Sequence, residues 1–311
     1  MESCLLVVRS VGERTESLCK QLIVNQGIDS GRIVVVHAAP FSEALRRSFK
    51  LGIDAGYQWT CCVDADLLLR PGSLQAILAY AERQPPRVLQ VQGFILDKFW
   101  GKPRSGGVHL YRTGLLHKAL SHIPEEGTDI RPETYTLNSM EASGHPWVTL
   151  PLLVGLHDYE QYYSDIWRKF VVHAWKHRMY GISQLDRWAR EAPSDPDVMV
   201  ALKAFCHGLT LSSPPRIDAR ASFAEVPWRD LKVDEKEEAS IQSIAQDTVE
   251  GLCRSYDGSN FLFSGAKGVS YLNTISERTK YLISGRLPAI PTARATLATG
   301  LFAIARRLRP R

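Results

Sequence analysis

The chain has no Cys-x-x-Cys pair among its six cysteines, no apolar run of membrane-spanning length, no internal repeat and no strong excess of one charge. Each absence removes a class of function. Cys4, Cys19, Cys61, Cys62, Cys206 and Cys253 are scattered, mostly within apolar stretches. They read as free thiols in a reducing cytoplasm rather than zinc ligands or a disulfide framework. The N-terminal run Cys4 to Val8 is too short for a signal peptide and reads as a first strand. A formal charge of +5 over 311 residues is compatible with anionic small molecules without calling for nucleic acid. Acid is missing locally as well: none follows Glu277, whereas Lys280, Arg286, Arg294, Arg306, Arg307, Arg309 and Arg311 do, so the tail is basic.

What is present is an ordinary globular composition, 44% hydrophobic and 23% charged, long enough for a substantial core. Strand and helix patterns alternate. Cys4–Arg9 predicts a strand. Leu18, Cys19, Leu22 and Ile23 predict a helix ended by Gly27, and Arg32–His37 a second strand. Phe41, Leu45 and Phe49 recur at helical spacing, and Trp59–Val63 is a third strand running into Asp64-Ala65-Asp66. Pro71 opens a further helix, Arg87–Leu96 is a strand and Thr113–Leu120 a short helix. Such alternation predicts an α/β fold with a mostly parallel sheet covered on both faces. From Asp158 the pattern becomes helical, broken by Pro193, Pro196, Ser212-Ser213-Pro214-Pro215 and Pro227.

Asp64 and Asp66 emerge where a buried strand runs out, the place where open α/β sheets bind ligands. Alternation sends both side chains toward one side, with Ala65 keeping the turn compact. Two hard oxygen ligands there suit Mg2+ or Mn2+, and such an ion neutralises a diphosphate. The alternative is a solvated acidic loop. His173 and His177 sit four apart on a helix but lack the intervening glutamate of a zinc protease, so a satisfied helical pair is the better reading.

In order, these pieces resemble a GT-A-fold glycosyltransferase, most like the family-two group: strand, helix, strand, helix, Ala55-Gly56, strand, Asp64-Ala65-Asp66, Leu69-Arg70-Pro71-Gly72-Ser73-Leu74, helix. Gly106-Gly107-Val108-His109-Leu110-Tyr111-Arg112 is similar to the glycine-containing strand on the acceptor side. Glu133–Val148 resembles the segment that begins with a Glu-Asp pair, and Val154-Gly155-Leu156-His157-Asp158 resembles the place where many GT-A enzymes present a histidine to the metal. The resemblance spans roughly residues 4–160. It implies a GT-A catalytic domain over 1–180 and a mainly helical region over 181–311.

The implied activity is metal-dependent transfer of a sugar from a nucleoside-diphosphate sugar to a saccharide or lipid-linked acceptor, as in bacterial-type surface glycan assembly, with inversion favoured. Asp64, Asp66 and His157 would hold the ion, and imidazole beside carboxylates favours Mn2+ over Mg2+. Arg9, Ser10, Glu13, Arg47 and the Asp64-Ala65-Asp66 turn would meet the donor. The chain departs from the family at the base, since Thr134 replaces the aspartate of the Glu-Asp pair. Glu133 becomes the expected base, with Asp129 and Glu141 as rivals; if Glu133 fails, retention gains. A second departure is Val36-His37-Ala38-Ala39-Pro40, which lacks the aspartate that reads the nucleotide base in relatives. Two rivals remain. A sugar nucleotidyltransferase would need a glycine-rich loop that Ser10-Val11-Gly12-Glu13 does not supply, and a non-catalytic binding relative would explain the missing aspartate. The expected location is cytoplasmic, with the basic tail either packed on the domain or lying on an anionic membrane face.

Overall fold

The computed structural model describes residues 2–129, 131–213, 215, 226–238 and 246–257, all within one compact unit, Met1–Ser259. The basic tail, and with it the expected membrane contact, lies outside the described residues. Seven strands form one sheet: β1 (Cys4–Ser10), β2 (Ile33–His37), β3 (Trp59–Asp64), β4 (Leu67–Leu69), β5 (Gln90–Asp97), β6 (Lys102–Arg112) and β7 (Trp147–His157), in the order β2-β1-β3-β6-β5-β7-β4. Strands β1, β2, β3, β5 and β7 run one way and β6 and β4 the other. The α/β class with a mixed, mostly parallel sheet is therefore the one observed.

Alternation in β1 explains how one strand serves two cores. Cys4, Leu6 and Val8 join the layer of α1 (Glu16–Val24) and α3 (Ser73–Glu82), while Leu5 and Val7 face α2 (Phe41–Ala55), α4 (Leu116–Leu120) and α5 (Pro132–Ala142). Every β1 residue is buried, as expected of an interior parallel strand covered on both faces. The chain reverses direction across the sheet at β1, with β2 on one side and β3 on the other. The carboxyl ends of β1 and β3 thus flank a switch-point crevice.

Short β4 is held to β7 by close backbone approach. A Cβ added at Gly155 would lie 2.5 Å from the Leu68 carbonyl oxygen, so glycine is what the β4–β7 pairing needs there. The pairing sets Leu67 opposite His157 and so brings Asp66, one residue earlier, to the end of β7.

From Tyr163 the regular elements among the described residues are helices: α6 (Tyr163–Lys176), α7 (Arg178–Ile182), α8 (Leu185–Glu191), α9 (Pro196–Thr210), α10 (Trp228–Leu231) and α11 (Gln246–Asp257). A separate apolar cluster joins Phe99 and Trp100 to Phe170, Trp188, Ala201 and Phe205. Pro196 begins a helix rather than breaking one. It occupies the first turn of α9, where no N–H is needed, and the Asp195 side chain accepts from Asp197 N at 2.9 Å. Helix α11 returns to the sheet, burying Val249 and Cys253 in the core and binding Arg70 through Glu250.

Candidate active site

Two networks of charge occupy the carboxyl edge of the sheet. The first centres on Arg9, a buried arginine near the end of β1. Its Nε donates to Asp64 Oδ1 at 2.8 Å and its Nη1 to Glu133 Oε1 at 2.7 Å. Glu133 lies in the first turn of α5, which Pro132 opens. The same Oε1 accepts from the Tyr111 hydroxyl at 2.6 Å, and Oε2 lies 3.2 Å from His109 Nε2. Burial disfavours the charged Glu133, but Arg9, His109 and the Tyr111 hydrogen bond outweigh it and hold the carboxyl at about 2.

The second network joins Asp66, His157 and Asp158. Their ligand atoms lie within 4.8 Å of one another. His157 Nε2 is 3.4 Å from Asp66 Oδ2, while its Nδ1 lies 3.0 Å from Asp158 Oδ2 and 3.1 Å from Asp97 Oδ2. Burial pushes the imidazole down, yet Asp158 and Asp66 raise it to about 9. Lys169, reaching across from α6, lies 2.8 Å from Asp66 Oδ2 and also binds Asp158. Arg104 binds the buried Asp97 carboxylate at 2.9 Å. Asp158 adopts φ 65, a left-handed conformation that aspartate tolerates better than most residues and that turns the chain just beyond His157.

The donor set suits a divalent ion. Asp66, His157 and Asp158 offer two carboxylates and an imidazole that could hold one, and Asp66 Oδ1 is buried with no hydrogen-bond partner among the described residues. The ammonium of Lys169 competes for the same carboxylates, and a protonated His157 must release its proton before it can bind metal.

The expected donor residues divide between places. Arg9 and Asp64 form one pair, whereas Asp66 and His157 belong to the other cluster. Of the expected ligands, Asp64 is paired with Arg9 and stands outside the cluster, which contains Asp158 beside Asp66 and His157. The acid immediately after His157 was the sequence signal for it. Ala65 is buried at the turn, and Thr15 Oγ1 donates to its carbonyl at 2.8 Å. Ser10 Oγ lies between Glu13 and Glu16, and Glu13 also accepts from Val11 N. Burial, then Asp66, pushes the Glu13 carboxyl up. Arg47 does not join the site: it pairs with Glu43 at 2.8 Å on the exposed face of α2. Asp129 precedes α5 and accepts from Arg131 N at 2.6 Å. Lys169 and Asp97 were missed because their roles depend on α6 crossing the strand ends and on β5 lying beside β7.

No family model matches the chain, and no curated protein does. Among solved structures it is similar to a mannosyltransferase from Pyrobaculum calidifontis in complex with GDP-Man and Mn2+, at 13% identity and a TM-score of 0.38, covering 74% of this chain and 78% of that one. It is also similar to a glycosyltransferase involved in glycosylating the major capsid of PBCV-1, at 14% identity and 0.36, covering 50% and 93%. A third is the CMP:2-keto-3-deoxy-manno-octonic acid synthetase complexed with CTP, at 9% and 0.34, covering 49% and 90%. At such scores the chemistry has to be judged from the site's own residues.

Proposed function

We propose that the protein transfers a sugar from a nucleoside-diphosphate donor to an acceptor hydroxyl. The observation that carries this reading is the Asp66–His157–Asp158 cluster beside the crevice at the ends of β1 and β3. Asp66, His157 and Asp158 would hold a divalent ion, which supplies positive charge against the diphosphate leaving group. Arg9 fixes Asp64 at the crevice rim, where 28% of its side chain stays exposed and free to meet a sugar or ribose hydroxyl. Lys169 neutralises the acids until ligand and ion arrive, then adds positive charge next to the departing phosphate.

Glu133 is poorly suited to deprotonate an acceptor. Both its oxygens are engaged, and a carboxylate held at about 2 is a weak base at neutral pH. Its role in this reading is to anchor Arg9. Asp129 is the better candidate for inverting transfer, lying at the entrance to α5 with one oxygen on the Arg131 N–H. Against a nucleotidyltransferase, the loop amides after β1 are already used: Val11 N donates to Glu13 and Gly12 N to Ser10 Oγ. A triphosphate cradle needs such amides free.

The test is calorimetry and product analysis with a panel of nucleotide sugars, with and without Mn2+. Binding of one nucleoside diphosphate that depends on Mn2+ and disappears in Asp66→Ala is expected. Mn2+-independent affinity retained in that variant would remove the metal assignment, and pyrophosphate release from a nucleoside triphosphate and a sugar phosphate would point to nucleotidyl transfer.

A further inference from the structure

Residues 226–238 run from the helical cluster to the loop after β1, and the two halves of this segment are held by different forces. The first half is anchored by apolar packing. Leu231 is buried in the cluster of Phe170 and Trp188, and Val226 and Val233 pack against it. The second half, Asp234-Glu235-Lys236-Glu237-Glu238, has four acids, one lysine and no apolar side chain. Polar contacts hold it. The Glu235 carboxylate accepts from Tyr163 N at 2.7 Å and from Ser164 N at 3.0 Å, at the start of α6. Lys236 Nζ lies 2.5 Å from Asp197 Oδ1. Arg14, whose side chain is 10% exposed, donates to the Glu237 carbonyl at 2.5 Å and to Glu160 Oε2 at 2.8 Å. Charge contacts at a surface are individually weak and screened by salt, so this half opens at lower cost than the packed half before it.

The segment also walls a cavity of about 390 Å³. Gly12, two residues past β1, lines one side, Tyr162, Trp167 and Arg168 another, and Val226 and Glu235 close it. Arg168, with Nη2 3.6 Å from Asp165, keeps its Nε buried with no hydrogen-bond partner among the described residues. Glu235 thus brings a carboxylate to a wall made of a guanidinium and the positive end of α6. An anion entering beside Gly12 meets that carboxylate and three more acids next to it, and like charges at close range repel.

We propose that Asp234–Glu238 is an autoinhibitory strap, which closes the cavity with its own carboxylate and lifts when a diphosphate enters beside Gly12. That the diphosphate belongs to a sugar nucleotide rests on the glycosyl-transfer reading above, whereas the competition between strap and anion stands on the contacts themselves. Arg14 is the clasp, because it ties the Glu237 carbonyl to the loop after β1.

The probe is inorganic pyrophosphate added to the full chain at constant ionic strength. The readout is cutting after Glu237 and Glu238 by a glutamate-specific protease, mapped by mass spectrometry against the exposed loop residue Glu126. Saturating pyrophosphate should speed the strap cuts roughly fivefold, the size expected for displacing one charge from a helix terminus, and leave the Glu126 cut unchanged. Glu235→Gln keeps an acceptor for both N–H groups but loses the charge. It should bind pyrophosphate about threefold to fivefold more tightly by calorimetry. Arg14→Gln, which unfastens Glu237, should speed the strap cuts with no pyrophosphate added.

Pyrophosphate that binds while the strap cuts stay constant or slow overturns the proposal, since the strap is then fixed or closes over its ligand. Unchanged affinity in Glu235→Gln overturns it too, as does the absence of pyrophosphate binding in both parent and variant. If Glu235→Gln melts below the parent, pyrophosphate-driven cutting of the parent decides alone. Nucleotide-sugar turnover on the same preparations separates the two readings: pyrophosphate-driven cutting without turnover keeps the strap and drops glycosyl transfer, and turnover with an unmoved strap does the reverse.

Discussion

Arg9 and Glu133 form a buried ion pair, Nη1 to Oε1 at 2.7 Å, between β1 and the first turn of α5. Because Arg9 also holds Asp64, the glutamate sets the position of an acid at the crevice rim. Glu133→Ala should therefore destabilise the fold by about 3–5 kcal/mol, the cost of leaving a buried charge unpaired, and weaken donor binding with it. Chemical denaturation and nucleotide titration check this. A Glu133→Gln variant with parental stability and donor affinity but no transfer would restore the glutamate as the base.

Lys169 holds Asp66 and Asp158, the two carboxylates that would bind the ion in the proposed site. Removing a like charge from an ion's site favours the ion by several kcal/mol at close range. Lys169→Met is accordingly expected to bind Mn2+ roughly tenfold or more tightly in the absence of nucleotide, read by electron paramagnetic resonance. Unchanged Mn2+ affinity would place the ion elsewhere.

The clamp between Arg70 and Glu250 makes the docking of α11 pH-dependent. Glu250 Oε2 and Oε1 lie 2.8 and 3.0 Å from Arg70 nitrogens. Hydrogen bonding to Arg70, against a smaller effect of burial, holds the carboxyl at about 2 from an ordinary 4.5. A depressed acid stabilises the fold fully above its unfolded value and loses that contribution as pH falls through the folded one, here between 4.5 and about 2. Cys253, buried on the same helix, reports it. Its labelling by a thiol reagent active in acid should accelerate across that window, and Glu250→Gln should show the faster labelling already at neutral pH. Peptide mapping separates it from exposed Cys206.

Gly155→Ala should strain the β4–β7 pairing, since the new Cβ would lie 2.5 Å from the Leu68 carbonyl oxygen. A loss of about 1–3 kcal/mol is expected from such overpacking. Because β4 carries Asp66 toward His157, Mn2+ affinity should fall as well. A variant that loses stability but keeps full Mn2+ affinity would show that the pairing does not position the site.

The fold was legible in the sequence because local rules govern it. The apolar strands of Cys4–Arg9 and Trp59–Val63, the amphipathic helix of Phe41, Leu45 and Phe49, and the terminating Gly56 with φ 70 each follow from neighbours a few residues apart. Pro196 and Pro227 misled, since a proline that ends one pattern can stand at the start of the next helix, and the three-residue strand β4 is too short to show a period.

The site was half legible. Asp66 and His157 stand at strand ends, and strand ends can be read from sequence. Their partners cannot. Asp97, Arg104 and Lys169 reach the cluster because β5 lies between β6 and β7 and because α6 crosses the strand ends. The same applies to Asp64 and Glu133, whose charges suggested a metal ligand and a base. A buried arginine 55 residues before one and 124 before the other claims both. By itself the sequence determined which residues form strands and helices, and which acids emerge at their ends, because those depend on local periodicity. Only the tertiary structure decided which charges neutralise one another. That depends on strand order and burial, which strengthen whichever pairs are brought together.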